Sequence, residues 1–388
     1  MTIRGQAHIA GAFEHPRREI PDLTIPQIHA EVATGALADA GLEFDDVDGF
    51  FTDSMVPGWS PISMAEYLGL DHLRHFEMTE SGGSSYLMHV GHAAAAVAAG
   101  KCRVALITLA GTPRSDRGRM RGGGSMGPES QFEWLWGSTG PVSQYALVAQ
   151  RHMYEFGTTS EQLAWVKVAA SRHAKHNPDA FLRDEVTVDD VIASRMISDP
   201  LHLLDCCVVT DGGGALIVVS SDAAAGLDRR TVPILGHGEA PKHMHDGRID
   251  LTYTGAVWSG PRALEEAGVT VDDIDYVSIY DSFTITVVVT LEDLGFCEKG
   301  KGGAFVADGA LESPHGRLPF NTDGGGLCSN HPGNRGGMTK IIEAVRQLRG
   351  EALAPVQVPD CELALVHGTG GSLGTRSGAA TLVLGGGS

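Results

Sequence analysis

The chain has 388 residues, 42% of them hydrophobic and 20% charged, a balance that fits a folded protein of two or three domains and excludes both a disordered chain and a disulfide-stapled miniprotein. Lys and Arg number 29 against 48 Asp and Glu, and the resulting formal charge of −19 repels phosphate backbones and anionic membrane surfaces, so nucleic acid and membranes are not expected partners. No stretch approaches the roughly 20 uninterrupted apolar residues of a membrane span, residues 1–18 lack the apolar core of a secretion signal, and the six cysteines show no CxxC spacing; a cytoplasmic protein with free thiols is expected.

In chain order, apolar residues at helical spacing (Ile28, Val32, Ala36, Leu37) predict a helix that Gly41 stops, after which Asp45-Asp46-Val47-Asp48 turns into a strand at 49–51. An alanine-rich helix over 92–99 ends at Gly100 before a strand at 104–109. A long insertion follows, at roughly 112–200. It opens with Pro113-Arg114-Ser115-Asp116-Arg117-Gly118-Arg119, a basic run in an acidic chain, read as a solvated loop or as a phosphate contact, because the guanidinium fork matches phosphate oxygens. Residues 131–136 and 145–154 are expected to cover a pocket, and a strand at 215–219 closes this half. The same order then returns. Ala267-Gly268-Val269-Thr270-Val271-Asp272-Asp273-Ile274-Asp275 echoes residues 40–48, a strand follows at 276–280, a helix over 341–348 ends at Gly350, and strands at 363–366 and 380–384 finish the copy. Two α/β halves, 1–225 and 226–388, packed around mixed sheets are predicted.

Glycine, at 51 residues, is the outlier, and its clusters mark tight turns or close approach to a ligand. Four motif blocks surround such clusters: Tyr280-Asp281-Ser282-Phe283 with Leu291-Glu292-Asp293-Leu294-Gly295-Phe296; Leu318-Pro319-Phe320-Asn321-Thr322-Asp323-Gly324-Gly325-Gly326; Asn330-His331-Pro332-Gly333; and Val366-His367-Gly368-Thr369-Gly370-Gly371. With these blocks in this order the chain resembles the thiolase superfamily, in its sterol-carrier-protein-2-type branch, over nearly its whole length. The resemblance implies a duplicated, layered αβαβα fold, a homodimer, and coenzyme A thioesters as substrates, with no cofactor beyond the coenzyme A that the substrate carries. With such a substrate, the basic run makes Arg114 and Arg117 the expected contacts for the coenzyme A phosphates, and the thioester is expected between His331 and the Gly82-Gly83 turn, with Ser84, His367, Gly370 and Gly371 beside it.

One departure from the family's pattern sets the expected chemistry. Thiolases carry a nucleophilic cysteine at the start of the helix corresponding to 84–99, where the helix N-terminus lowers the thiol pKa. Here the segment reads Glu77-Met78-Thr79-Glu80-Ser81-Gly82-Gly83-Ser84-Ser85-Tyr86, and the helix length counted back from Gly100 lands on Gly83. Ser84 is either a weak substitute nucleophile or a helix cap. The glycine pair is expected to open room for a bulky acyl group. The second catalytic cysteine of the family is also missing. Tyr280, leading its block, can donate or accept a proton; His331, in the family's Gly-His-Pro block with Asn330 in place of the glycine, reads as an oxyanion donor or acid/base group; Asp281 stands beside them.

That set implies retro-aldol cleavage of a β-hydroxyacyl-CoA without an acyl-enzyme. It resembles the steroid side-chain aldolases, which work with an OB-fold partner of the DUF35 type. Two other readings stay open: an acyltransferase using Ser84 or Cys328, and a non-catalytic thiolase-like subunit, against which the retained Tyr280 and His331 blocks argue. His237, His243 and His245 lack a carboxylate or cysteine complement, so no metal site is expected.

Overall fold

The computed structural model describes residues 2–54, 56–59, 61–116, 133–138, 140–243, 249–333 and 336–387. Its strands and longer helices follow in the order β1 (Ala7–Glu14), α1 (Ile25–Ala40), β2 (Gly49–Thr52), β3 (His75–Met78), α2 (Ser85–Ala98), β4 (Val104–Gly111), α3 (Pro141–Phe156), α4 (Ser160–Ala174), β5 (Met196–Ser198), β6 (Leu201–His202), β7 (Gly212–Ser220), β8 (Val232–Lys242), α5 (Ala256–Ala267), β9 (Tyr276–Ile279), α6 (Thr284–Leu294), α7 (Gly337–Arg349), β10 (Leu363–Gly371) and β11 (Ser377–Gly385).

The sequence repeat is a structural repeat. Gly41 at φ 69° and Gly268 at φ 67° adopt the left-handed conformation that ends α1 and α5, and each is followed by a short 3₁₀ turn capped by Asp46 or Asp273 before its strand. The strands run β2-β4-β7-β1 in the first half and β9-β10-β11-β8 in the second, the same order twice. Strand β3 has no counterpart and forms one edge beside β2.

Two features depart from expectation. The half-sheets are not separate: β1 and β8 pair at a narrow seam, His8 with Pro233 and Ile9 with Val232, giving one nine-stranded sheet. Neither strand announces itself in the sequence, because β8 carries Pro233, Gly236, Gly238 and Pro241 and β1 shows no clean polar alternation. The insertion occupies everything between Gly111 at the end of β4 and Gly212 at the start of β7, so it ends beyond residue 200.

Helices α2 and α7 touch each other and strands of both halves, while α1 covers the far face of the first half and α5 that of the second. The five layers are therefore α1, half-sheet, α2 with α7, half-sheet, α5. The central helices share one core with the inner sheet faces, including Leu87, Val90, Ile341 and Ile342. The described insertion helices α3 and α4 pack with α6 on the second half, through Val148, Leu163 and Val166 against Val287 and Leu291. This docking carries insertion residues over the C-terminal ends of β9 and β10. Among the described residues no helix is long and apolar enough to cross a membrane.

Candidate active site

Four distant segments meet in a cleft of about 470 Å³. The end of β9 delivers Tyr280, the glycine-rich block delivers His331, the end of β10 delivers Thr369, Gly370 and Gly371, and the turn before α2 delivers Gly83. The insertion supplies the apolar wall, with Val142, Tyr145, Ile197, Leu203 and Val209 facing Phe283. The Tyr145 and Phe283 rings lie 4.4 Å apart between centroids.

Tyr280 is held at the strand end by its backbone N–H, which donates to the carbonyl of His367 at 2.9 Å. Its Oη lies 2.7 Å from Nε2 of His331. Burial pushes the His331 ring down to about 4, so the ring is neutral at ordinary pH. A neutral ring has one nitrogen free to accept, so Nε2 can take the tyrosine's proton in the tautomer that carries its own proton on Nδ1. The two residues form one proton-transfer unit. Of the two roles read for His331, oxyanion donor or acid/base group, the contact with Tyr280 favours the second.

Gly83 lies on the cleft, and the room expected there is filled. A Cβ at residue 83 would stand 2.3 Å from the Thr369 carbonyl oxygen and 2.5 Å from the Tyr280 ring. The tyrosine occupies the space of the side chain that the family places there. Ser84 makes no side-chain cap: its Oγ donates to the carbonyl of Ser81 at 2.8 Å, and it does not line the cleft. A 3₁₀ turn over Gly82–Ser84 leads into α2, whose first turn carries no acidic residue, and the Glu80 carboxylate accepts the Gly82 N–H at 2.9 Å. Gly82, at φ 61°, packs against the Gly370 backbone and makes this turn possible.

Three expected site residues are supports. The Asp281 carboxylate accepts the backbone N–H groups of Gly326 and Leu327 at 2.8 and 3.1 Å and lies 3.1 Å from Lys340 Nζ on α7. It pins the glycine block rather than facing substrate; a Cβ on Gly325 would collide with it at 2.1 Å. Asn330 is fully buried behind His331, off the cleft. His367 is buried in the sheet, its Nδ1 2.8 Å from Thr381 Oγ1, with burial pushing the ring down to about 3.

Arg114 lies near the cleft mouth, next to Pro113, but its guanidinium pairs with Glu19 at 3.2 Å and stacks over Phe181 at 4.4 Å. A phosphate there would have to displace Glu19. Arg117 lies outside the described residues, as do His245 and residues 131 and 132 of the expected pocket cover.

Cys328 is buried away from the cleft and its thiol is pushed up by burial. Sequence reasoning missed that Cys206 and Cys207 line the cleft, since nothing in their spacing marks them. Burial pushes Cys206 up to about 12 and Cys207 higher still, so neither is a ready thiolate nucleophile.

Residues 238–386 match the family model described as thiolase C-terminal domain-like. The chain is 36% identical over 377 residues to the 17-hydroxy-3-oxo-4-pregnene-20-carboxyl-CoA lyase of Mycobacterium tuberculosis, covering 91% of this chain and 94% of that protein. It is 35% identical over 379 residues to an acetyl-CoA acetyltransferase of Methanothermobacter thermautotrophicus, covering 95% and 97%. Among solved structures it superposes on the Ltp2-ChsH2(DUF35) aldolase with a TM-score of 0.88 and 34% identity, over 99% of this chain and 98% of that one. The chain belongs to the thiolase superfamily, in the sterol-carrier-protein-2-type group whose members include carbon-carbon lyases of CoA thioesters as well as acyltransferases.

Proposed function

We propose that this protein is a retro-aldol lyase acting on a β-hydroxyacyl-CoA with a bulky apolar acyl group. The observation that carries the reading is the Tyr280 ring lying where a nucleophilic side chain would emerge, hydrogen-bonded to a neutral His331. The substrate β-hydroxyl gives its proton to Tyr280 Oη as the tyrosine's own proton passes to His331 Nε2. The Cα–Cβ electron pair moves into the thioester, forming the enolate, while Cβ becomes the carbonyl of a released ketone or aldehyde. The proton returns from the pair to Cα, so no proton is gained or lost overall. Negative charge growing on the thioester oxygen is favoured by the dipole of α2, whose N-terminal end lies at Gly83 on the cleft. The apolar insertion wall supports a large hydrocarbon acyl group, in line with the steroid lyase and aldolase among the relatives.

The acyltransferase alternative meets a steric objection at Gly83 and an electrostatic one at the protonated Cys206 and Cys207. A panel of β-hydroxyacyl-CoAs decides between them. Release of a shortened acyl-CoA with an equimolar carbonyl product, and unchanged protein mass, is the expected result; an acylated protein would overturn it.

The partner reading is a homodimer that also accepts a DUF35-type protein. It is supported by the aldolase neighbour's name and by the edge strand β3, which exposes Phe76 at 53% and Met78 at 45%. Light scattering is expected to give twice the chain mass alone and a larger complex when a DUF35-type protein is co-expressed. A monomer at micromolar concentration would contradict the dimer.

A further inference from the structure

Behind His331 lies a hydrogen-bonded line of side chains that no cleft residue explains. Glu14, at the end of β1, is buried and accepts from Asn330 Nδ2 through Oε1 at 2.8 Å. Asn330 Oδ1 accepts from Thr210 Oγ1 at 2.7 Å, and Thr210 Oγ1 accepts from the His331 backbone N–H at 2.9 Å. The Thr210 N–H returns to the His331 carbonyl at 3.4 Å, so the histidine backbone is bracketed on both sides. Arg18 Nη2 at 2.9 Å and Arg346 Nη1 at 3.3 Å compensate the buried carboxylate.

An ionised carboxylate only accepts hydrogen bonds. Glu14 therefore fixes which way the Asn330 amide points, NH₂ toward itself and carbonyl toward Thr210. A carbonyl only accepts, so the Thr210 hydroxyl must donate to it, which leaves the hydroxyl lone pairs for the His331 N–H. Each direction in the line follows from the one negative charge at its far end. The slot holding Asn330 is also tight: a Cβ on Gly212 would lie 3.0 Å from its Oδ1. Asn330 stands where the thiolase pattern has glycine, and a residue without a side chain could not make this link.

We propose that Glu14, acting through Asn330 and Thr210, is a positioning residue that sets the height and orientation of His331 against Tyr280. Glu14 and Thr210 do not line the cleft, so they act only through the histidine. The inference rests on the Tyr280–His331 pair being the reacting unit, and misplacement of a reacting group by about 1 Å can cost about 10²-fold in rate.

Thr210→Val, which keeps the shape and removes the hydroxyl, is expected to lower kcat by about 10- to 100-fold with KM within about twofold, and Thr210→Ser is expected to restore most of it. Glu14→Gln should fall in the same range, because a glutamine no longer dictates the amide direction; the Thr210 variants keep the test decisive should that protein not fold. In a His331→Ala background Thr210→Val should cost nothing further. Nitrogen NMR of histidine-labelled protein gives a readout that does not depend on turnover: the His331 Nε2 signal, assigned by its loss in His331→Ala, should shift in Thr210→Val and return in Thr210→Ser. An unmoved signal, or the same loss of rate with and without His331, would overturn the positioning role. If the wild type cleaves no β-hydroxyacyl-CoA, the functional reading fails while the NMR comparison still decides this one.

Discussion

Tyr280→Phe is expected to slow carbon-carbon cleavage by about 10² to 10⁴, the usual cost of removing a positioned proton-transfer group, with KM little changed. The substitution removes one oxygen and keeps the ring that packs against Gly83 and Gly336. The Nε2 of His331 loses its 2.7 Å partner in a buried site, at a cost of about 1 to 3 kcal/mol, a few degrees in Tm. Because the two residues work as one unit, the Tyr280→Phe, His331→Ala double variant should be no slower than the worse single variant. Release of the shortened acyl-CoA, followed beside a thermal melt, checks both statements. Wild-type turnover in Tyr280→Phe would remove the tyrosine from the chemistry.

A comparable loss is expected from the smallest change possible at residue 83. Gly83→Ala places a methyl group 2.3 Å from the Thr369 carbonyl oxygen and 2.5 Å from the Tyr280 ring, neither of which is the free end of a flexible chain. The ring has to move, and with it the hydroxyl that faces His331, so cleavage should fall by about 10²-fold or more. Overpacking of this kind costs about 1 to 3 kcal/mol of stability. Gly83→Cys tests the same geometry from the other side. It restores the family's residue type at the helix start, yet should neither transfer acyl groups nor retain one after incubation with acyl-CoA. Activity of both variants, with intact-protein mass, gives the result; an acyl group on the introduced cysteine would show that the tyrosine yields its place and that the site remains a thiolase.

Local rules carried a good part of this structure in the order of residues. The glycine stops at residues 41 and 268 and the Asp-Asp turns after them are short-range chemistry, and they revealed the duplication that the strand order repeats. The Tyr280 and His331 blocks drew attention because they resemble the motif blocks of the thiolase family in order, and the segment before α2 has no cysteine where that family carries its nucleophile. What those residues do to one another was not legible. That Tyr280 fills the space over Gly83, that Asp281 turns to the N–H groups of Gly326 and Leu327, that Cys206 and Cys207 face the cleft, and that Glu14 reaches Asn330 across 316 positions of sequence all depend on how the two half-sheets and the insertion close around α2 and α7. The sequence by itself determined the elements, their twofold order and the chemical types available to the site, because turn, cap and periodicity preferences act over a few residues. Only the tertiary structure decided which of those groups touches substrate and which holds another in place, because side-chain direction, exclusion of space and burial of charge are set by neighbours hundreds of residues away.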